Sequence, residues 1–162
     1  MEPSSLITAF TVNACIITLV VFIYYEWLRL LNIVVPKLTN KHRLKLLYYV
    51  FGILLGHIIE IWLFAFGFII SIQTFHLGHV GGLGQMDLMD YAYYSATIYT
   101  SLGFGDLIPK GSVRLLTSME TLTGLTLITW SASFIYLEMQ KHWKKSPAEE
   151  GLEDISEDIS IQ

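Results

Sequence analysis

Charge is scarce in this chain of 162 residues. Asp, Glu, Lys and Arg make up 15% of it, against 53% apolar residues. A soluble domain carries charge on about a quarter of its positions, so the composition points to a membrane protein. Acidic residues outnumber basic ones by 14 to 10, with nearly all of the excess in the C-terminal tail, and no nucleic-acid partner is expected. Cysteine is almost missing. Cys15 stands alone in an apolar stretch, which excludes a disulfide framework within the chain and reads as a small packing residue. A basic N-terminal region and an Ala-x-Ala-like cleavage site are also missing. The first apolar stretch exceeds a signal-peptide core and is expected to be retained. No span carries a ladder of Arg, which excludes a voltage sensor of the usual type. The paired-His motif of a zinc hydrolase is absent, and no internal repeat is visible.

Against those absences stand long apolar runs. A helix needs about 20 apolar residues to cross a bilayer. Three stretches reach that length: about Leu6 to Leu31, Leu46 to Ile72 and Val113 to Glu138. Between the second and third, Met86 to Thr100 is moderately apolar and too short to span, which fits a re-entrant helix. Irregular backbone at membrane depth survives only where protein or a water-filled cavity surrounds it. Lys37, Lys41, Arg43 and Lys45 lie between the first two stretches, and Lys141, Lys144 and Lys145 follow the third. Both groups are expected on the cytoplasmic side. The Gln73–Asp90 loop has no Lys or Arg and is expected outside, with Lys110 and Arg114 mild exceptions. The N-terminus is then outside and the C-terminus inside. The Gly-rich segment Leu77–Gly84 reads as a flexible turret.

The most specific segment is Tyr99-Thr100-Ser101-Leu102-Gly103-Phe104-Gly105-Asp106. It resembles the selectivity filter of potassium channels, commonly Thr-Val-Gly-Tyr-Gly-Asp, with Ser101, Leu102 and Phe104 at the Thr, Val and Tyr positions. A dehydrated potassium ion needs a cage of oxygens, which the filter supplies as stacked backbone carbonyls. Carbonyls that all point inward demand conformations glycine adopts readily, so Gly103 and Gly105 alternate with larger residues. Ser101 can add a hydroxyl oxygen at the inner end, and Leu102 and Phe104 are expected to point into supporting packing. From Tyr93 to Pro109 and on to Glu138 the chain resembles the pore module of the potassium channel superfamily. It looks closest to small bacterial channels and to one half of a two-pore-domain channel.

The resemblance implies roles for further residues. Tyr93 and Tyr94 stand where the family often carries an aromatic pair cuffing the filter; interfacial anchoring is the competing role. Asp106 lies at the outer mouth. Thr97 and Thr100 belong to the support, although Thr97 replaces an acidic partner that some members provide for this Asp. Gly124 falls at the hinge position of the inner helix, with close helix packing as the alternative. Thr121, Leu125, Ile128 and Ala132 recur at spacings of three and four and can line the cavity. The Ser and Thr of this helix can hydrate that cavity or bond their own backbone.

Three ionisable groups lie inside the apolar stretches. His57 and Glu60 share a helix face, and Glu120 comes out within roughly two helical turns of Glu60 in depth. Such groups are expensive in a membrane and are usually paired or functional. They form a satisfied polar cluster with Asn13, Thr or Tyr groups, a pH-sensitive gate or a metal site.

The expected fold is an all-α membrane protein of three transmembrane helices with a re-entrant pore helix and filter loop. Residues 1–36 hold an accessory first helix, 37–145 the pore module and 146–162 an acidic, disordered tail too short for a ligand-binding domain. One filter per chain cannot encircle an ion, so a homotetramer is expected. The expected function is potassium-selective conduction without catalysis or cofactor. Potassium is the transported substrate and the filter its only metal site. The alternatives are a poorly selective cation channel and an intramembrane metalloenzyme using His57, Glu60 and Glu120. The resemblance places the protein in the bilayer of a bacterial plasma membrane.

Overall fold

In the computed structural model of the chain, the described residues are 3–39, 41–82, 84 and 86–143. The acidic tail from Ser146, with Lys144 and Lys145, lies outside them. The chain is mostly helical: α1 spans Pro3–Leu38, α2 His42–Ile69, α3 Leu88–Tyr99 and α4 Val113–Trp143. A π-helical turn, Ile70–Thr74, extends α2. Two short strands, β1 Gly78–Gly81 and β2 Ile108–Gly111, pair antiparallel.

Among the described residues, two helical segments are long and apolar enough to cross a membrane, Ile7–Leu38 and Arg43–Thr74. Large apolar side chains such as Phe10, Phe22, Phe51 and Ile58 stay exposed on them. A soluble monomer rarely shows so broad an apolar surface. The third long helix, α4, is less apolar than the other two because Thr and Ser recur along it. Their hydroxyls turn to the carbonyl four residues back: Thr123 to Met119, Thr126 to Leu122, Thr129 to Leu125 and Ser133 to Thr129. Self-bonding of this kind hides much of the polarity within the helix.

The first helix packs on both α2 and α4. Val20, Tyr24, Leu28, Leu31 and Val35 recur along one face of α1 and are all buried. Small residues of α2 receive them. A Cβ on Gly56 would stand 2.7 Å from a Trp27 ring atom, and one on Gly52 would collide with Leu31. The Trp27 indole nitrogen donates to the Gly52 carbonyl at 2.8 Å. Glycines spaced four apart let helices approach closely where lipid supplies no hydrophobic drive. Gly52 and Gly56 are such a pair, and the sequence reading overlooked them.

The turret is where the structure departs from expectation. Gly78–Gly81 is not free loop but strand, paired to the residues that follow the candidate filter. Its glycines serve close approach rather than flexibility. At Gly82, φ is +124° and a Cβ would collide with the Asp106 carbonyl. The Val113 amide donates to the Leu77 carbonyl at 3.0 Å, tying the start of α4 to the same segment.

Candidate functional site

The short helix α3 delivers the candidate filter. Its start is set by a capping box. The Asp87 carboxylate accepts from the Asp90 amide at 2.8 Å, and the Asp90 carboxylate accepts from the Asp87 amide at 2.9 Å. Two orphan donors are satisfied reciprocally. At the other end, Ser101 leaves the helix with φ of 57°.

From there the backbone alternates. φ is 57° at Ser101, 50° at Gly103 and 82° at Gly105, while Leu102 and Phe104 between them are not in the positive region. Glycine takes such values freely; for Ser101 the cost is about 1–2 kcal/mol. The Ser101 amide donates to the Ile98 carbonyl at 2.9 Å, and the Gly103 amide to the Thr97 carbonyl at 3.0 Å. Ser101 to Asp106 are all exposed on the single chain. Leu102 and Phe104, expected in supporting packing, are 60% and 65% exposed.

The aromatic pair divides its work. The Tyr93 hydroxyl donates to Asp106 at 2.9 Å, and its ring stacks on Phe104 with centroids 6.5 Å apart. That bond to Asp106 holds the Tyr93 phenol above its ordinary range. Tyr94 is buried, its hydroxyl 2.9 Å from Thr117 Oγ1 of α4 and its ring edge-on to Phe68. Thr97 and Thr100 donate to the carbonyls of Tyr94 and Ala96. On α4, Thr121 reaches the Ile98 carbonyl at 3.3 Å, while Leu125, Ile128 and Ala132 lie exposed. Gly124 is a contact point: a Cβ there would collide with the Tyr99 carbonyl and stand 3.0 Å from Cδ2 of that ring.

Behind the loop lies a polar network. His57 Nδ1 is 3.1 Å from Glu60 Oε2 and 2.9 Å from the Tyr99 hydroxyl. Tyr99 itself donates to Glu60 Oε2. His57 Nε2 lies 3.0 Å from Ser131 Oγ, which is also bonded to the Tyr24 hydroxyl, and Tyr24 stacks on the imidazole at 5.3 Å. Glu120 belongs to a separate branch. It accepts from Ser95 at 2.6 Å, and the Ser95 hydroxyl also reaches the Ile61 carbonyl at 2.7 Å. Both carboxylates are buried, each with one unpaired oxygen. Asn13, weighed as a partner, is buried with its amide nitrogen unpaired.

His57 and Glu60 thus meet as the i,i+3 spacing suggests, while Glu120 does not bond to either. Among the described residues, no three His, Cys, Asp or Glu side chains are placed to hold a metal ion. Sequence reasoning passed over Tyr99, Ser95, Ser131 and Tyr24. The usable signal was the cost of Glu60 itself: a buried carboxylate needs donors, and Tyr99 is a donor in the segment that must pack beside it.

A family model described as "Ion channel" matches residues 56–141, more than half of the chain. The chain therefore belongs to this ion channel family, in keeping with the potassium channel pore-module superfamily that its loop resembles. The match runs from within α2 through α3 and the loop to α4, and α1 lies outside it. The family is one of channels rather than enzymes, and with two apolar helices the chain is that of a membrane protein. Neither the curated proteins nor the solved structures yield a significant match.

Proposed function

We propose that the protein is a potassium-selective channel in which four chains bring their Ser101–Gly105 segments around one axis. The alternation of φ sign at Ser101, Gly103 and Gly105 carries this reading. Alternating left- and right-handed residues turn successive carbonyls to the same side, the arrangement that replaces a potassium ion's hydration shell. A single chain leaves that segment exposed, together with Leu102 and Phe104, and neighbouring copies would cover it. In this assembly α4 is the third span and lines the pore with Leu125, Ile128 and Ala132. Gly124 seats the end of α3, and α1 is an accessory helix on the outside. Potassium is substrate, not cofactor. The N-terminus is outside and the C-terminus cytoplasmic, in a bacterial plasma membrane.

Reversal potentials of the purified protein in liposomes, under opposed potassium and sodium gradients, test the reading. Potassium selectivity is the expected result. Equal permeability of the two ions would leave the second reading, a poorly selective cation channel, which the Leu102 and Phe104 departures from the common motif keep open. Absence of any conductance would remove both.

A further inference from the structure

Tyr99 ends α3 two residues before the filter begins, and it is gripped at both ends. Its carbonyl and ring edge sit against Gly124 of α4, where no Cβ fits. Its hydroxyl donates to Glu60 of α2 and lies 2.9 Å from His57 Nδ1. The ring between is buried against Phe64 and His57, at centroid distances of 6.4 and 5.8 Å. Through His57 and Ser131 the chain of bonds continues to Tyr24 of α1. One side chain thus links the end of α3 to the three other helices.

The hydroxyl is not needed to fill this space, because a phenylalanine ring would fill it equally. Placing a carboxylate at membrane depth to meet that hydroxyl is costly. What the bond adds is direction: it fixes the height and rotation of the last turn of α3. Ser101 follows after a single residue, Thr100, its amide bonded to Ile98 in that same turn. Selection among cations depends on where the coordinating carbonyls stand, so a displaced last turn displaces the inner end of the filter.

We infer that Tyr99 is a positioning residue for ion selectivity, its hydroxyl anchored on Glu60 and His57 to hold the Ser101 end of the filter in register. This rests on the reading of Ser101–Gly105 as a potassium filter. It is tested on the full-length protein in liposomes, comparing Tyr99→Phe with wild type by reversal potential, alongside oligomeric mass. Tyr99→Phe is expected to assemble normally and to lose about fivefold in its potassium-to-sodium permeability ratio, the weight of one net hydrogen bond. An assembled Tyr99→Phe with the wild-type ratio overturns the inference and leaves the filter reading intact. A wild type that does not discriminate between the ions overturns the filter reading, and this inference with it. Should Tyr99→Phe strand Glu60 and fail to assemble, Tyr99→Phe/Glu60→Leu removes both partners of the bond. An assembled double variant with a lowered ratio supports the inference, and one with the wild-type ratio overturns it. If the double variant also fails to assemble, the hydroxyl serves the fold rather than selectivity, and the inference falls.

Discussion

Gly124→Ala separates two uses of a glycine in the middle of α4. If Gly124 is a contact point, the added methyl has no room: it collides with the Tyr99 carbonyl and stands 3.0 Å from Cδ2 of the same ring. The obstacle is backbone at the end of a capped helix, not a side-chain tip that can swing away. Overpacking of this kind costs about 1–3 kcal/mol. Alanine in place of a helical glycine returns about 1 kcal/mol, so each chain loses roughly 0–2 kcal/mol. Gly67→Ala in α2 is the matched control. Its methyl would meet the tip of the Ile16 side chain at 3.1 Å, which can yield, so the helix gain should outweigh the crowding. The assay is thermal unfolding of the purified protein in detergent, with reversal potentials in liposomes. Gly124→Ala should melt below Gly67→Ala and shift the permeability ratio, because the displaced group adjoins the proposed filter. If Gly124→Ala matches wild type in melting and selectivity and changes only open probability, the contact reasoning is wrong and Gly124 is a hinge.

Three further outcomes are expected. Gly103→Ala should abolish selective conduction while the oligomer survives; at φ of 50° a side chain costs about 1–2 kcal/mol per chain, and no atom of the chain itself stands within 4 Å of the added carbon, so the damage falls on the filter. Single-channel recording with a mass measurement checks it, and unchanged selectivity in Gly103→Ala would remove the filter assignment. Glu60→Gln keeps an acceptor for the Tyr99 hydroxyl and should alter gating with selectivity retained, whereas Glu60→Leu removes that acceptor, leaves the hydroxyl with His57 Nδ1 alone and should destabilise the protein by about 0.5–1.5 kcal/mol; indistinguishable thermal melts for the two variants would contradict this. Native mass measurement should find four chains, and a conducting dimer would refute the single-filter stoichiometry.

The helices were legible because their signals are long and apolar. The expected stretches Leu46–Ile72 and Val113–Glu138 fall within α2 with its π turn and within α4. The loop was legible because its glycines answer a backbone requirement visible in single letters, and φ is positive at both Gly103 and Gly105. The pairing of β1 with β2 was not. Four residues rich in glycine carry no alternation of apolar and polar side chains, so a strand held by close backbone approach reads as loose loop. The seat of α1 was recoverable from Gly52 and Gly56, a spacing whose meaning appears only once Leu31 and Trp27 are known to lie opposite. The polar network was half legible. Helical spacing joins His57 to Glu60 within one element, but no local rule says that Tyr99, 39 residues beyond Glu60, completes the pair, or that Glu120 bonds to Ser95 instead.

The site has two unlike sides, and the difference sorts its residues by the damage they should cause. The back is finished within one chain: Tyr99, Glu60, His57, Ser131 and Tyr24 bond across all four helices. The front is bare, with Leu102 at 60% and Phe104 at 65% exposure. Apolar exposure recurs along the membrane-facing helices as well, so it is the exposed backbone from Ser101 to Asp106, which lipid cannot satisfy, that calls for other copies to complete this surface. On the proposed tetramer, changes at the back should loosen each chain and shift selectivity without altering the number of chains. Changes at the front, such as Leu102→Asn, should weaken assembly first, because apolar contact between copies is lost while the bonds behind the loop stay in place. Crosslinking in native membranes reads the number of chains, and reversal potentials read selectivity. Leu102→Asn with full assembly, or Glu60→Leu reduced to single chains with the remaining assemblies fully selective, would reverse the sorting and place the subunit contacts behind the loop rather than in front of it.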